Sequence, residues 1–170
     1  MDELELKSKI NIQKLKYTFL DKPILFGGMA MEYYGLREHG DDVDFIITER
    51  DYQQLKVKFP NNRKDVWGDF GINIEGFELF RSIYKFDYAH YSLGAIELTD
   101  YKIINVDMLF RMKVFALGVA QKHDNDVQLL KEYYLQFQNQ EYQSYMNRHI
   151  ERYTSSESGI FVGIDYDDKV

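Results

Sequence analysis

Two aspartates in this chain, Asp42 and Asp44, have the residue type and spacing best suited to chemistry. Val43 separates them and an apolar run follows at 45–47, a pattern that predicts a β-strand. Side chains alternate between the two faces of a strand, so both carboxylates would point the same way, about 6.5 Å apart. Carboxylate oxygens are the ligands that Mg²⁺ or Mn²⁺ prefers. The spacing therefore suggests a divalent-metal site, although an isolated pair of this kind also suits a solvated strand edge.

A pair of glycines, Gly27 and Gly28, ends the apolar run at 23–26. The run predicts a short buried strand, and the glycines permit a tight turn into a helix over 29–35. Backbone N–H groups at the start of such a helix can hold phosphate when no side chain obstructs them. A glycine pair is also explained by a turn alone. The aspartates that follow it in the sequence are what make a phosphate-binding role the favoured interpretation.

The composition describes a packed globular chain with an acidic surface. The chain has 170 residues, 45% of them hydrophobic and 16% aromatic, and it carries a net charge of −7. No apolar stretch is long enough to span a bilayer and the first residues lack a secretion-signal pattern, so we expect a cytoplasmic protein without a membrane partner. The negative charge disfavours sequence-independent binding of duplex nucleic acid, although a local basic patch is compatible with it.

The absence of cysteine excludes disulfides, thiolate zinc sites, iron–sulfur clusters and cysteine nucleophiles. Four histidines are present, but their spacing is not that of metal ligands. Any metal is therefore expected on carboxylates, which again favours Mg²⁺ or Mn²⁺.

Strands alternate with helices in the first half of the chain and helices dominate the second half. We predict an α/β (α+β) fold: a mixed sheet flanked by helices, with a C-terminal helical cluster. The predicted regions are an α/β core at 1–104, a helical portion packed on it at 105–153, and a flexible tail or edge strand at 154–170.

Individual elements are predicted from periodicity, capping residues and breaks. Helices are expected at 3–20, 51–59, 105–119, 124–137 and 139–153, strands at 43–48 and 72–76, and a hairpin at 96–106 around Thr99 and Asp100. The aromatic-rich segment 77–93 fits neither periodicity.

Three motifs in this order are similar to the signature of the nucleotidyltransferase superfamily, which includes DNA polymerase β. They are Phe26-Gly27-Gly28-Met29-Ala30, Gly35-Leu36-Arg37 and Asp42-Val43-Asp44-Phe45. The segments 104–113 and 122–130 resemble the helical portion of small bacterial members, including the AbiEii-like toxins. The resemblance covers about residues 17–132 and implies a nucleotidyltransferase-type mixed sheet.

The resemblance also implies an activity and a set of site residues. A nucleoside monophosphate would pass from a nucleoside triphosphate such as ATP to an acceptor, with release of pyrophosphate and with help from bound metal. Asp42 and Asp44 would hold that metal, and Gly27 and Gly28 would hold the triphosphate. A third carboxylate would bind metal and act as base, and Glu75 is our choice because it lies in the next strand-like segment.

Several positions keep alternatives. Glu78 and Glu97 are the substitutes for the third carboxylate, and Arg37 either contacts phosphate or anchors Asp41. By resemblance, Lys113 would project from a helix toward the triphosphate. Asp124 or Asp126 would match an acidic position that follows that lysine.

The acceptor is open, because small members of the superfamily variously modify aminoglycosides or lincosamides, proteins, or RNA ends. The negative charge favours a cationic small molecule or a protein over nucleic acid. One alternative is an inactive nucleotide-binding or antitoxin-partnered module, because fold does not fix function. Another is a homodimer or other interaction protein that associates through the segment 77–93.

Overall fold

A computed structural model describes residues 2–66, 68–136 and 147–148. The chain divides into two compact units, the first ending at Val106 and the second beginning at Asp107. In the described part of the chain, no helix combines the length and apolar character needed to cross a membrane.

The first unit is built on a mixed seven-stranded sheet, which confirms the predicted α/β class. Its strands are β1 (Ile24–Phe26), β2 (Val43–Ile46), β3 (Arg63–Val66), β4 (Asp69–Ile74), β5 (Phe77–Phe80), β8 (Ile96–Glu97) and β9 (Lys102–Ile103). Their order across the sheet is β3-β4-β5-β2-β1-β9-β8. A separate hairpin pairs β6 (Ser82–Ile83) with β7 (Phe86–Asp87). The predicted hairpin around Thr99 and Asp100 is confirmed by the antiparallel pairing of β8 with β9.

Four α-helices accompany this sheet among the described residues of the first unit. They are α1 (Glu3–Lys9), α2 (Gly27–Tyr33), α3 (Glu49–Lys58) and α4 (Tyr88–Ser92). The prediction of one helix over 3–20 is wrong, because α1 ends at Lys9, the next residue, Ile10, has extended backbone, and only a short 3-10 helix, Ile12–Leu15, follows. Leu6, Ile10 and Leu15 are all buried, so the broken segment still covers the core.

The strand β2 runs through the middle of the sheet and sets the position of the aspartates. It pairs antiparallel with β1 and parallel with β5. Phe45, Ile46 and Ile47 are fully buried, which anchors the strand in the core. Thr48 then caps α3 by accepting a hydrogen bond from the Asp51 backbone N–H, which ends the strand and starts the helix.

Glu75 lies in a turn, which corrects the prediction that it continues a strand. Ile74 of β4 pairs with Phe77 of β5, so Glu75 and Gly76 form a two-residue hairpin loop. Both have positive φ, 51° and 84°, as a type I′ turn requires. The strand predicted over 72–76 therefore ends two residues earlier, at Ile74, because the turn takes both Glu75 and Gly76.

The aromatic-rich segment 77–93 contains β5, the β6–β7 hairpin and α4. Phe77, Phe80 and Tyr91 are buried, so much of its aromatic content belongs to the core of the first unit.

The second unit contains nearly all of α5 (Val106–Phe115) together with α6 (Gln121–Gln136). The helix predicted over 105–119 ends at Phe115, and Gly118 beyond it has a φ of +77° that breaks helical geometry. The helix predicted at 139–153 falls outside the described residues except at 147–148, and the tail at 154–170 falls outside them altogether.

The hairpin turn offers a test of its own geometry. Glu75→Asn creates an Asn-Gly pair, which type I′ turns favour, and should raise the free energy of unfolding by up to about 1 kcal/mol. Gly76→Ala should lower it by about 1 kcal/mol, because alanine disfavours positive φ. Urea unfolding of both variants measures the difference, and equal stabilities would contradict this turn type.

Candidate functional site

Asp44 lies at the centre of the candidate site, where three strands meet. On β2 it is opposite Phe26 of β1 on one side and opposite Glu78 of β5 on the other. It is half-buried, whereas Asp42, one residue before the strand, is exposed. The Val43 backbone N–H donates to the Gly76 carbonyl oxygen at 3.0 Å, so the pairing of β2 with β5 begins between the two aspartates.

Gly27 packs directly against the carboxylate of Asp44. A Cβ atom at this position would lie 2.0 Å from Asp44 Oδ2, and the glycine has a φ of +66°. No other residue type could take this place without moving the carboxylate or the turn. The first glycine of the motif is therefore required to let β1 turn into α2 beside Asp44.

Gly28 has a different environment from Gly27. A Cβ atom there would be 3.5 Å from the Gly40 nitrogen and 3.6 Å from Arg37 Nη1, which are ordinary contact distances. The fold therefore does not demand glycine at this position. The role predicted for both glycines, to hold phosphate, stays a prediction.

Glu32 of α2 ties the loop before β2 to the helix. Its carboxylate accepts hydrogen bonds from the His39 backbone N–H at 2.8 Å, from His39 Nδ1 and from Lys9 Nζ. Burial alone would raise the pKa of Glu32, but the hydrogen bonds from Lys9 and His39 outweigh it and lower this pKa to about 2. The charged carboxylate thus fixes the chain three residues before Asp42.

Arg37 lies on the same loop, near Gly28. Its Nη1 donates to the Glu38 carbonyl oxygen at 2.8 Å. This bond matches neither alternative offered by the sequence, contact with phosphate or anchoring of Asp41, and both stay predictions.

The three glutamates considered as a third carboxylate occupy different parts of the sheet. Glu75 is exposed at the β4–β5 turn. Glu97 is on β8, separated from β2 by β1 and β9, and it forms ion pairs with Lys22 and Lys102. Glu78 is the one in register with Asp44 on the adjacent parallel strand. Neighbours in register point to the same face, so Glu78 is the carboxylate that the sheet places beside Asp44.

Glu78 is already engaged on this face. Its side chain is 13% exposed, and its Oε1 accepts from Lys64 Nζ at 2.5 Å and from Asn73 Nδ2 at 3.4 Å. In the sequence, Glu78 stands out only as a single acid among the apolar residues Phe77, Leu79 and Phe80, which are buried in the structure. These residues lie in the segment 77–93, which fits neither helical nor strand periodicity.

In the described ranges, no three histidine, aspartate or glutamate side chains form a group that could hold a metal ion. The predicted set of Asp42, Asp44 and Glu75 is therefore not assembled. Mg²⁺ commonly binds one or two protein carboxylates and takes its other oxygens from water and substrate phosphates. Two carboxylates are enough for that incomplete kind of site, and the role of Asp42 and Asp44 as metal ligands stays a prediction.

Lys113 belongs to the second unit and is buried there. Its Nζ lies 2.8 Å from Asp126 Oδ2, with side-chain exposures of 8% and 1% for the two residues. Of the two acidic residues considered, Asp126 is thus the one paired with the lysine. A buried ion pair of this kind is costly to break, and the role of Lys113 toward a triphosphate stays a prediction.

We compared the chain with known protein families, curated proteins and solved structures. No family model, no curated protein and no solved structure matches the chain.

The two glycines should respond differently to alanine. Gly27→Ala should lower the free energy of unfolding by about 2 kcal/mol or more, through positive φ and the clash with Asp44. Gly28→Ala should change it by less than about 1 kcal/mol, because the position is helical and has room. Urea unfolding measures both, and a Gly27→Ala variant as stable as the parent would contradict the packing.

The Glu32 contacts predict a loss of stability in acid. Because the folded pKa is about 2 and the ordinary value is 4.5, the contribution is complete above pH 4.5 and is lost as the pH falls toward 2. The stability difference between the parent and Glu32→Gln should therefore shrink over this range, as measured by urea unfolding at pH 7, 4.5 and 3. Glu38→Gln, an exposed neighbour on the same loop, is the control, and a pH-independent Glu32 difference would refute the prediction.

Proposed function

We propose that this protein is a metal-dependent nucleotidyltransferase, which moves a nucleoside monophosphate from a nucleoside triphosphate to an acceptor hydroxyl and releases pyrophosphate. The observation that supports it is the position of Asp44, in contact with Gly27 at the β1–α2 turn and in register with Glu78. This arrangement joins the glycine motif and the aspartate motif in space. Their order in the sequence alone does not require that contact.

Asp42 and Asp44 are the residues proposed to hold Mg²⁺ that arrives with the triphosphate. Bound metal would supply stabilisation of charge on the transferring phosphoryl group and its leaving oxygen. The exposure of Asp42 suits a ligand that must reach an incoming phosphate. The half-buried Asp44, held between two strands, suits the fixed member of the pair.

Glu78 replaces Glu75 as the proposed third carboxylate. It lies on the strand next to β2 and on the face of Asp44, whereas Glu75 lies in the turn at the strand end. A carboxylate there can accept the proton of the acceptor hydroxyl as that oxygen attacks phosphorus. To accept this proton, Glu78 must first break its ion pair with Lys64. The lysine would therefore control how readily the Glu78 carboxylate acts as a base.

A second candidate function is a nucleotide-binding or regulatory module without catalysis. It is favoured by the lack of any three-acid metal group among the described residues and by the existing ion pair of Glu78. Such a module would bind a triphosphate without releasing pyrophosphate.

Label transfer separates the two functions. The protein is incubated with each α-³²P-labelled nucleoside triphosphate, Mg²⁺ and a cell extract as the acceptor pool, and both labelled product and pyrophosphate are measured. Asp44→Asn should abolish transfer, whereas Asp21→Asn, an exposed aspartate outside the site, should leave it unchanged. Triphosphate binding without pyrophosphate release under all conditions would refute the transferase and support the module.

The third carboxylate is tested by a matched pair of variants. Glu78→Gln should reduce the rate by roughly a hundredfold or more, the usual size of a general-base contribution, and Glu75→Gln should have little effect. The opposite order would restore the carboxylate predicted from the sequence and contradict the assignment made from the sheet register.

A further inference from the structure

A cleft of about 400 Å³ lies between α3 and the β3–β4 edge of the sheet, and no function has so far been assigned to it. Tyr52 and Lys56 of α3 line one side, and Arg63, Phe70 and Arg81 line the sheet side. The volume is within the range of pockets that hold small organic ligands.

The cleft and Asp44 lie largely on opposite faces of the sheet. Asp44 and Glu78 share one face, and Glu78 reaches Lys64 of β3 on that face. Arg63 precedes Lys64 on β3, and Phe70 precedes Gly71, the β4 residue paired with Lys64. Side chains alternate between faces along a strand, so Arg63 and Phe70 point to the other face. Most of the sheet side of the cleft therefore lies on the face opposite Asp44, and Lys64, which pairs with Glu78, is the lining residue that belongs to the Asp44 face.

Positive charge dominates the described lining of the cleft. Its cations are Lys56, Arg63, Lys64 and Arg81, and its one carboxylate is Asp65, whose Oδ1 already accepts from the Gly68 backbone N–H at 2.8 Å. Lys64 is paired with Glu78. Arg81 is balanced by an ion pair with Glu49 at 3.3 Å. Within the described residues, by contrast, no carboxylate forms an ion pair with Lys56 or Arg63, and both can meet an anion.

An aromatic platform lies beside these cations. The Arg81 guanidinium is 4.8 Å from the ring centre of Phe70 and 5.7 Å from that of Tyr52. Phe70 remains 37% exposed, so this stack has an accessible aromatic member. Flat rings stack on aromatic and guanidinium surfaces of this kind.

We propose that this cleft binds a nucleotide unit, with the phosphate on Lys56 and Arg63 and the base on the Phe70–Arg81 stack. Cations beside an exposed aromatic ring are the combination that holds single nucleotides and single strands. The unit is either a free mononucleotide or part of a single-stranded nucleic acid. The inference goes beyond the proposed function and does not depend on it.

Binding is tested on the full chain in EDTA, so that metal-dependent triphosphate binding does not contribute. The probes are adenosine monophosphate, ribose 5-phosphate, which lacks a base, and a fluorescein-labelled single-stranded RNA of about ten nucleotides. Backbone amide NMR shifts locate the mononucleotide, and fluorescence anisotropy measures the RNA. We expect shifts at Lys56, Arg63 and Phe70, and stronger binding of adenosine monophosphate than of ribose 5-phosphate.

The variants separate charge from stacking. Arg63→Gln should weaken both phosphate probes and the RNA by about fivefold or more and reduce the salt dependence of RNA binding. Phe70→Leu should weaken the base-containing probes by about fivefold or more and spare ribose 5-phosphate. Lys14→Gln, which removes an exposed cation outside the cleft, is the control and should have no effect.

The two sources of the ligand give different results. Mononucleotide affinity close to that of the RNA supports a free-nucleotide site, and tight binding of the RNA alone supports a single-strand site. The proposal is overturned if no probe binds at low salt, if the shifts fall around Asp44 instead of the cleft, or if Arg63→Gln behaves as Lys14→Gln does. Asp44→Asn should leave cleft binding intact even if it abolishes nucleotidyl transfer.

Discussion

The contact between Gly27 and the Asp44 carboxylate is the constraint on which the candidate site depends. The absence of a side chain lets the start of α2 lie against β2, and the positive φ of the glycine gives the turn its direction. The register of β2 must be exact for this contact to exist, because a slip of one residue would move Asp44 to the opposite face. Burial of Phe45 and Ile47 on the one side, and of Ile46 on the other, opposes such a slip.

Local signals allowed much of this arrangement to be predicted from the sequence. The strands at 24–26 and 43–46, the glycine turn and the hairpin at 96–103 all arise from neighbours within a few residues. The strand position predicted for Glu75 was wrong because this residue follows an alternating run that ends at its own turn. Its role as the third carboxylate stays a prediction. There was no reason in the sequence to prefer Glu78, since its position beside Asp44 depends on the pairing of two strands whose partners are 34 residues apart in the chain.

The net charge of a chain does not determine what a single cleft can bind, because it adds charges from surfaces that one ligand does not contact together. The chain carries −7, yet the described lining of one cleft has four cations, Lys56, Arg63, Lys64 and Arg81, and a single carboxylate, Asp65. Salt screens charges beyond about 8–10 Å, so the field that a ligand meets in the cleft is set mostly by these neighbours. The overall charge therefore weighs against extended duplex binding without arguing against a local anion site.

The ion pair between Lys64 and Glu78 shows how the sheet controls the charge beside Asp44. Lys64 is on β3 and Glu78 on β5, so the lysine must cross the intervening β4 to reach the carboxylate. At the crossing point β4 carries Gly71, where a Cβ would lie 2.8 Å from the Phe80 ring, and Lys64 Nζ lies 5.8 Å from the centre of that ring. A larger residue at 71 would displace the ring that the ammonium crosses. Glu78 is thus held by Lys64, whose side chain passes over Gly71. A cation that binds beside Asp44 must compete with Lys64 for the Glu78 carboxylate.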